Sequence, residues 1–305
     1  MKSNVRLNND LDLPSARPSK WYVLQVRIKQ FIFRNKNSYP YITSDAFREI
    51  SDIEYPYHSH ELTKSFEEKL FNSEIIFCPS HLLHKMLENY GSKISAKIII
   101  CSDSDHEFHK QIENLPSSVK LVLLTNSFIS DNKKIYTLPI GVENLKIGMN
   151  GMKSFLRFSA VTTRQNSVLF GPFSPTHSIR SKIVKEFLLL DGPWKIIVAR
   201  LHPKKYSKLA RKFQFIACIR GNSVESHRLW ESLYRGCTPL VLRDEWSKSL
   251  QYLNLPILYV DSWNHEEIKK IVSSSQCEMF DPKNLEALWM PYWENFIDRF
   301  VAAKS

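Results

Sequence analysis

Glycine is scarce, eight residues in 305, and the glycine-built phosphate loops are missing. No G-x-G-x-x-G follows an apolar run, which disfavours a dinucleotide cofactor, and no G-x-x-x-x-G-K-[ST] occurs, which disfavours P-loop nucleotide hydrolysis. The G-x-S-x-G elbow of hydrolases and the H-E-x-x-H pair of zinc proteases are missing too. No apolar run approaches the roughly 20 residues of a membrane-spanning helix. The N-terminal stretch is polar and lacks the apolar core of a signal peptide, which points away from standard secretion and toward a cytoplasmic protein. Cysteine is sparse and odd in number. Cys78, Cys101, Cys218, Cys237 and Cys277 form no C-x-x-C pair and several lie in apolar segments, so they read as reduced core thiols. The ten histidines are scattered, and His58-x-His60 and His106-x-x-His109 are too loosely spaced to specify a metal.

What is present is the material of a folded protein. Hydrophobic residues make up 43% of the chain and charged residues 24%, enough for a core in each of two ordinary domains and against a low-complexity or disordered chain. The formal charge is +11 and unevenly spread: residues 1–150 carry 19 basic against 17 acidic side chains, residues 151–305 carry 23 against 14. Within 195–228, nine cations from Lys195 to Arg228 face Glu225 alone. Such a field attracts nucleic acid, an anionic membrane surface or a phosphorylated small ligand; a solvated basic face is the plainer alternative for the lysines.

From residue 167 onward, short apolar runs bounded by turn signals alternate with segments of helical period, the pattern of a parallel sheet covered by helices. Strands are expected at 167–171, 195–199, 213–219, 238–242 and 257–260, with helices at 177–190, 203–212, 223–235, 245–253 and 264–273 and a terminal helical stretch at 283–303. The first half repeats the rhythm more weakly, with strands at 22–26, 75–78, 97–101, 120–124 and 135–138 and helices at 60–71, 80–90 and 104–114. The aperiodic stretch 145–166 reads as the linker. Two Rossmann-like units, 1–150 and 160–305, would leave a cleft between them, a preferred place for a ligand.

The strongest local signal is RGNSVESHRLWESLYRGCTPLVL (220–242). A turn at Gly221 follows a buried run, and Asn222 stands three residues before Glu225 in a capping-box arrangement, so a helix is expected to start there. Leu229, Trp230, Leu233 and Tyr234 fall on one arc and Val224, His227, Arg228, Glu231 and Arg235 on the other. Gly236 supplies the stop. The helix amino end, with Arg220 and Arg228 beside it, suits a diphosphate, and Glu231 has acceptor oxygens for ribose or sugar hydroxyls. On spacing alone, Arg228 and Glu231 could equally form an i,i+3 surface pair. Upstream, SPTHSIR (174–180) offers His177 and Arg180 toward the same strand ends, or simply begins a helix.

The segment SVESHRLWESLYRGCTPLVL resembles the donor-binding motif of exostosin-like glycosyltransferases and, more loosely, that of fucosyltransferases with a Lys-Leu-Trp core. ITSDAFR (42–48), CSDSD (101–105) and LPIGVEN (138–144) resemble, in family order, three further stretches of the exostosin-like bacterial relatives. Ser44 stands where relatives often have glycine, and Cys101-Ser102 replaces His-Asn. The resemblance implies an α/β fold of the GT-B kind, two Rossmann-like domains facing a central cleft with C-terminal helices, acceptor on the first domain and nucleotide-sugar on the second. It also implies a metal-independent, inverting reaction with no cofactor, the nucleotide-sugar serving as co-substrate. Arg228 matches the phosphate-binding base and Glu231 the ribose-binding acid, with Asn222, Ser223 and His227 on the same turn and Arg220, Arg180 and His177 nearby.

The expected activity is transfer of a sugar from a nucleotide-diphosphate sugar to a glycan or glycolipid acceptor in polysaccharide biosynthesis. A general base must take the acceptor hydroxyl's proton, and Asp45, Asp103 and Asp105 are the candidates. Asp103-Ser-Asp105 also matches the metal-holding triplet of the other large glycosyltransferase fold, but the doubly alternating pattern argues against that fold. A nucleotide-sugar epimerase on the same architecture and a basic nucleic-acid binder are the rivals. Against the latter, aromatics interleave poorly with the basic cluster and no RNP, KH or zinc-finger signature occurs, so no nucleic-acid partner is expected. The basic surface leaves peripheral membrane contact open.

Overall fold

The runs IIFCP, IIICS and LVLL have no polar alternation, so they are fitted to strands covered on both faces. In the computed structural model these are β2 (Ile75–Pro79), β3 (Ile98–Ser102) and β4 (Leu121–Leu124), flanked by the short strands β1 (Ile53–Glu54) and β5 (Ile135–Thr137). The structure describes residues 38–57, 62–130, 132–158, 163–275 and 279–302, with Leu24 and Ile28. His58, His60 and Cys277 lie outside them, as does the strand expected at 22–26 except for Leu24, which is helical. The first sheet takes its fifth strand from β1 instead.

All five strands are parallel and run β1-β2-β3-β4-β5. Each crossover therefore steps the same way, and right-handed crossovers place their covering segments on one face. On that face Ile76, Ile99, Cys101, Val122 and Leu124 pack with Leu70 of α2 (Lys64–Asn72) and Leu83, Met86 and Leu87 of α3 (Leu83–Tyr90). The opposite face, with Phe77, Ile98, Ile100, Leu121 and Leu123, is covered by Phe47 of α1 (Ser44–Glu49) and by Trp293 and Ile297 of the last helix, Met290–Ala302. That helix, expected with the second domain, thus packs on the first sheet, where the Lys97 Nζ donates to the Val301 carbonyl at 3.2 Å. Two 3-10 turns, Pro282–Asn284 and Glu286–Leu288, occupy the start of the stretch expected to be continuous helix. Residues 104–114, also expected to be helical, run as a loop. Ser104 Oγ accepts from the His106 N–H at 3.2 Å, a local bond that competes with helix, and Phe108 bridges to Ser127.

After the short helix α4 (Lys153–Leu156), inside the expected linker, come β6 (Gln165–Phe170), α5 (Ser178–Leu188), β7 (Trp194–Ile196), α6 (Pro203–Ala210), β8 (Phe213–Ala217), α7 (His227–Tyr234) and β9 (Thr238–Leu242). They are followed by α8 (Glu245–Ser249), β10 (Leu258–Val260) and α9 (His265–Ser274), and the terminal helix Met290–Ala302 is α10. The second sheet is again parallel, in the order β10-β9-β8-β6-β7. The chain enters at β6, steps outward to β7 and returns to the other side at β8, so helices cover both faces and a crevice opens between the carboxyl ends of β6 and β8. The described residues thus form a mixed α/β molecule with two five-stranded parallel sheets and ten α-helices, consistent with Rossmann-like units. None of these helices is long and apolar enough to cross a membrane. Cys78, Cys101, Cys218 and Cys237 are buried free thiols.

Candidate functional site

A cavity of about 530 Å³ lies over that crevice, between the carboxyl edges of the two sheets. The turn after β8 and the first turns of α7 form one wall; the loops after β3, β4 and β5 form the other. Of the residues singled out in the sequence, Asp103, Asp105, Arg180, Asn222, Ser223, His227, Arg228 and Glu231 line it.

The helix begins later than the capping-box spacing predicts. Its N-cap is Ser226, whose Oγ accepts from the Arg228 N–H. Asn222 instead sends its Nδ2 across the cavity to Asp105 Oδ2 at 3.0 Å, and Ser223 Oγ contacts the Glu225 carbonyl at 3.4 Å. Glu225 turns inward: its Oε1 accepts from the Ile140 N–H of the opposite wall at 2.9 Å and from the Trp230 indole at 2.6 Å. At 3% exposure its Oε2 finds no partner, and burial pushes the carboxyl up to about 7. The arc of Val224, His227, Arg228, Glu231 and Arg235 is covered as well, with Glu231 6% and Arg235 2% exposed, because α7 is wedged between the two units.

Arg180 and Arg228 give this wall its character. Arg180 is nearly buried and spends its donors on neutral oxygens: Nε on the Arg220 carbonyl at 2.8 Å, Nη2 on the Ile219 carbonyl at 2.9 Å, and Nη1 on Ser174 and Thr176. Gly221 permits this approach, since a Cβ there would stand 2.9 Å from Arg180 Nη2. Arg228 lies over the rings of Phe173 and Tyr206, at 4.8 and 5.0 Å, and donates from Nη2 to the Pro172 carbonyl at 2.6 Å. Its Nη1 is buried without a partner. Neither arginine has a carboxylate partner among the described residues. Burial, with the neighbouring Arg228 charge, lowers Arg180 to about 10. Glu231 pairs with Arg235 at 3.1 Å, so the i,i+3 pair with Arg228 does not form. His227 donates from Nδ1 to the Gly141 carbonyl at 2.8 Å.

Three expected site residues lie elsewhere. Asp45 sits on α1 outside the cavity, its carboxylate held by Arg48 and, at 2.7 Å, by Lys146. His177 is the N-cap of α5, accepting at Nδ1 from the Ile179 N–H. Arg220 pairs with Glu107 at 2.7 Å. His177 and Arg220 line a second cavity of about 530 Å³ over the ends of β8 to β10, whose walls include Trp246 and Trp263. The buried Trp246 indole N–H there has no partner. Sequence reasoning missed Glu225 as an individual group, and also Asn126 and Asn144, which line the first cavity. Asn126 has φ +54° and meets the Glu225 N–H with its Oδ1 at 3.3 Å. The TNS step that ends the apolar β4 run was the available signal.

On the facing wall, Asp103 is paired with Arg48, while Asp105 is exposed apart from its contact with Asn222. The described residues contain no group of three or more His, Cys, Asp or Glu side chains placed to hold a metal ion. The arrangement can hold an anionic group against the arginines and the α7 amino end, with hydroxyl-bearing groups opposite. No protein-family model matches the chain, and no curated protein matches it.

Proposed function

We propose that the chain is a metal-independent glycosyltransferase of the GT-B kind, moving a sugar from a nucleotide-diphosphate sugar to a glycan or glycolipid acceptor. The observation that carries the reading is the pair Arg180 and Arg228, two cations without a carboxylate partner at the amino end of α7, one with a buried orphan N–H. A buried donor left unmade costs about 1–3 kcal/mol, and a diphosphate oxygen would satisfy it.

In this reading the diphosphate lies against Arg180, Arg228 and the first turn of α7. The nucleoside passes the Gly221 turn into the second cavity, whose lining includes Trp246 and Trp263. The acceptor hydroxyl attacks the anomeric carbon as the bond to the diphosphate oxygen breaks. The arginines and the helix end stabilise the negative charge that collects on the leaving group. The proton passes to a carboxylate, for which Asp103 and Asp105 are the first-unit groups at the cleft. Inversion at the anomeric carbon goes with a single displacement.

Thermal-shift titration with UDP-, GDP- and CMP-sugars tests this. A UDP- or GDP-sugar, and not the monophosphate CMP-sugars, should stabilise the wild type, and Arg228→Ala should weaken its binding at least about tenfold through loss of a charge-assisted contact. An unchanged ligand response in Arg228→Ala would refute the site. Incubating the donor without acceptor distinguishes transfer from epimerisation.

A further inference from the structure

The two walls of the cleft are opposite in character. The second-unit wall carries Arg180 and Arg228, its carboxylates Glu231 and Glu225 being taken up by Arg235 and by the Ile140 and Trp230 N–H groups; the lining of the first-unit wall has Asp103, Asp105, Asn126, Asn144 and hydroxyls, and among the described residues no Lys or Arg. Arg48, behind Asp103, is already shared with Asp45 and Glu54. A group with its own phosphate, sulfate or carboxylate would meet carboxylates there without compensation, whereas sugar hydroxyls would find acceptors and amide donors.

The same edge continues beside the cleft. Because the first sheet runs β1-β2-β3-β4-β5 without a reversal, the segments leaving the carboxyl ends of β1, β2 and β3 stand side by side. They present Tyr57, then His81 and His84, then His106. Tyr57 is 55% exposed and lines the cleft. Its ring meets that of His81 at 4.9 Å, and the rings of His84 and His106 are 6.4 Å apart. His106 packs edge-on to Phe108 at 4.8 Å. Burial and the three neighbouring imidazoles lower its pKa, which favours an uncharged ring at neutral pH. The exposed rings of Tyr57, His81 and His84, with the half-buried His106 beside them, present flat faces of negative quadrupole to the C–H faces of a pyranose and a polar edge to its hydroxyls. With strands about 4.8 Å apart, the rings after β1, β2 and β3 span about 10 Å, and the cleft residue Asn126 after β4 extends the run to about 14 Å, room for roughly three sugar residues with the terminal one in the cleft.

We propose that the acceptor is an extended glycan uncharged over its terminal residues, lying across Tyr57, His81, His84 and His106 with its reactive hydroxyl in the cleft opposite the arginines. This rests on the transferase reading and adds the acceptor's charge class and path.

The test is an array of neutral, uronate-containing, sulfated and phosphorylated oligosaccharides of one to six residues, probed with the full chain. Binding should concentrate on neutral glycans of three or more residues. It should fall at least about tenfold in the double variant Tyr57→Ala, His81→Ala, whose side chains are exposed and whose loss should leave folding intact. Preference for anionic glycans, no binding to neutral ones, or binding undiminished in the double variant overturns the proposal. Nucleotide-sugar stabilisation is measured on the same proteins. If it is present and unaffected by the double variant, a failed array result counts against the acceptor assignment alone. If no nucleotide-sugar stabilises the wild type, the transferase reading itself fails.

Discussion

Glu225 is a carboxylic acid placed where ionisation is costly. Its Oε1 is held by two donors, its Oε2 has none, and its pKa rises from an ordinary 4.5 to about 7. A group whose folded value is raised binds more protons in the native state than in the unfolded one, so its contribution is full below pH 4.5 and is lost as pH climbs toward 7. Glu225→Gln keeps the Oε1 acceptor and removes the charge. The variant should therefore gain on the wild type between pH 5 and pH 8, by up to about 3 kcal/mol. Urea midpoints across that range read the difference, and parallel pH profiles would show that the buried carboxyl is not the titrating group. Arg228 was legible as a cleft residue because it stands in the first turn of a helix that follows a parallel strand, although spacing alone left a surface pair with Glu231 equally open. Glu225 was read as half of a capping box because spacing says nothing of which way a side chain turns. Besides the nearby Trp230, its carboxylate meets Ile140 and its N–H meets Asn126, both far away along the chain. Asp45 and His177 do not line the first cavity for the complementary reason, since nearby groups hold them: Arg48 and Lys146 for the first, the α5 backbone for the second.

At the scale of elements, the long apolar strands and α7 were readable and the first unit's edges were not. β8 and β9 are largely apolar, and Gly236 ends α7 in the left-handed conformation at φ +70°, its N–H on the Leu233 carbonyl and that of Cys237 on Ser232, both at 2.9 Å. β1 has two residues, too few for any period, and the loop at 104–114 carries enough helix formers to imitate a helix until Ser104 bonds locally. The two ends of α7 should respond differently to substitution. Gly236→Ala forces a left-handed alanine whose Cβ would stand 2.6 Å from a Phe158 ring carbon, so stability should drop by about 2 kcal/mol with ligand affinity unchanged. Ser226→Ala removes the cap at the cavity end, at about 1 kcal/mol of stability, and should weaken nucleotide-sugar binding as well. Paired urea melts and ligand titrations separate these effects. If Gly236→Ala cut affinity as much as Ser226→Ala, the helix amino end would have no special place in binding.

For the whole molecule, the decisive feature is a core that ignores the division into two sheets. One apolar cluster joins Ile98, Ile100 and Leu121 of the first sheet to Trp230, Leu233 and Val241 of the second and to Trp293 of α10. Polar contacts reinforce it: the Ile42 N–H donates to the Tyr234 hydroxyl at 2.9 Å, and Thr137 Oγ1 and Ser249 Oγ are 2.6 Å apart. Domains within a chain usually share smaller and more polar contacts, and relative motion is then the default. Here the shared core argues for one cooperative unit. Calorimetry should show a single transition, and a bound nucleotide-sugar should raise all of it. Trp293→Ala places the defect on the first sheet, outside the residues lining the donor wall, and opens a cavity at a side chain with no exposure, which should destabilise by about 3–5 kcal/mol. The transition should shift as a whole, with loss of ligand response coinciding with loss of far-ultraviolet ellipticity. Two resolved transitions, with the ligand-responsive one unmoved by Trp293→Ala, would mean that the units unfold independently and that the common core does not couple acceptor side to donor side.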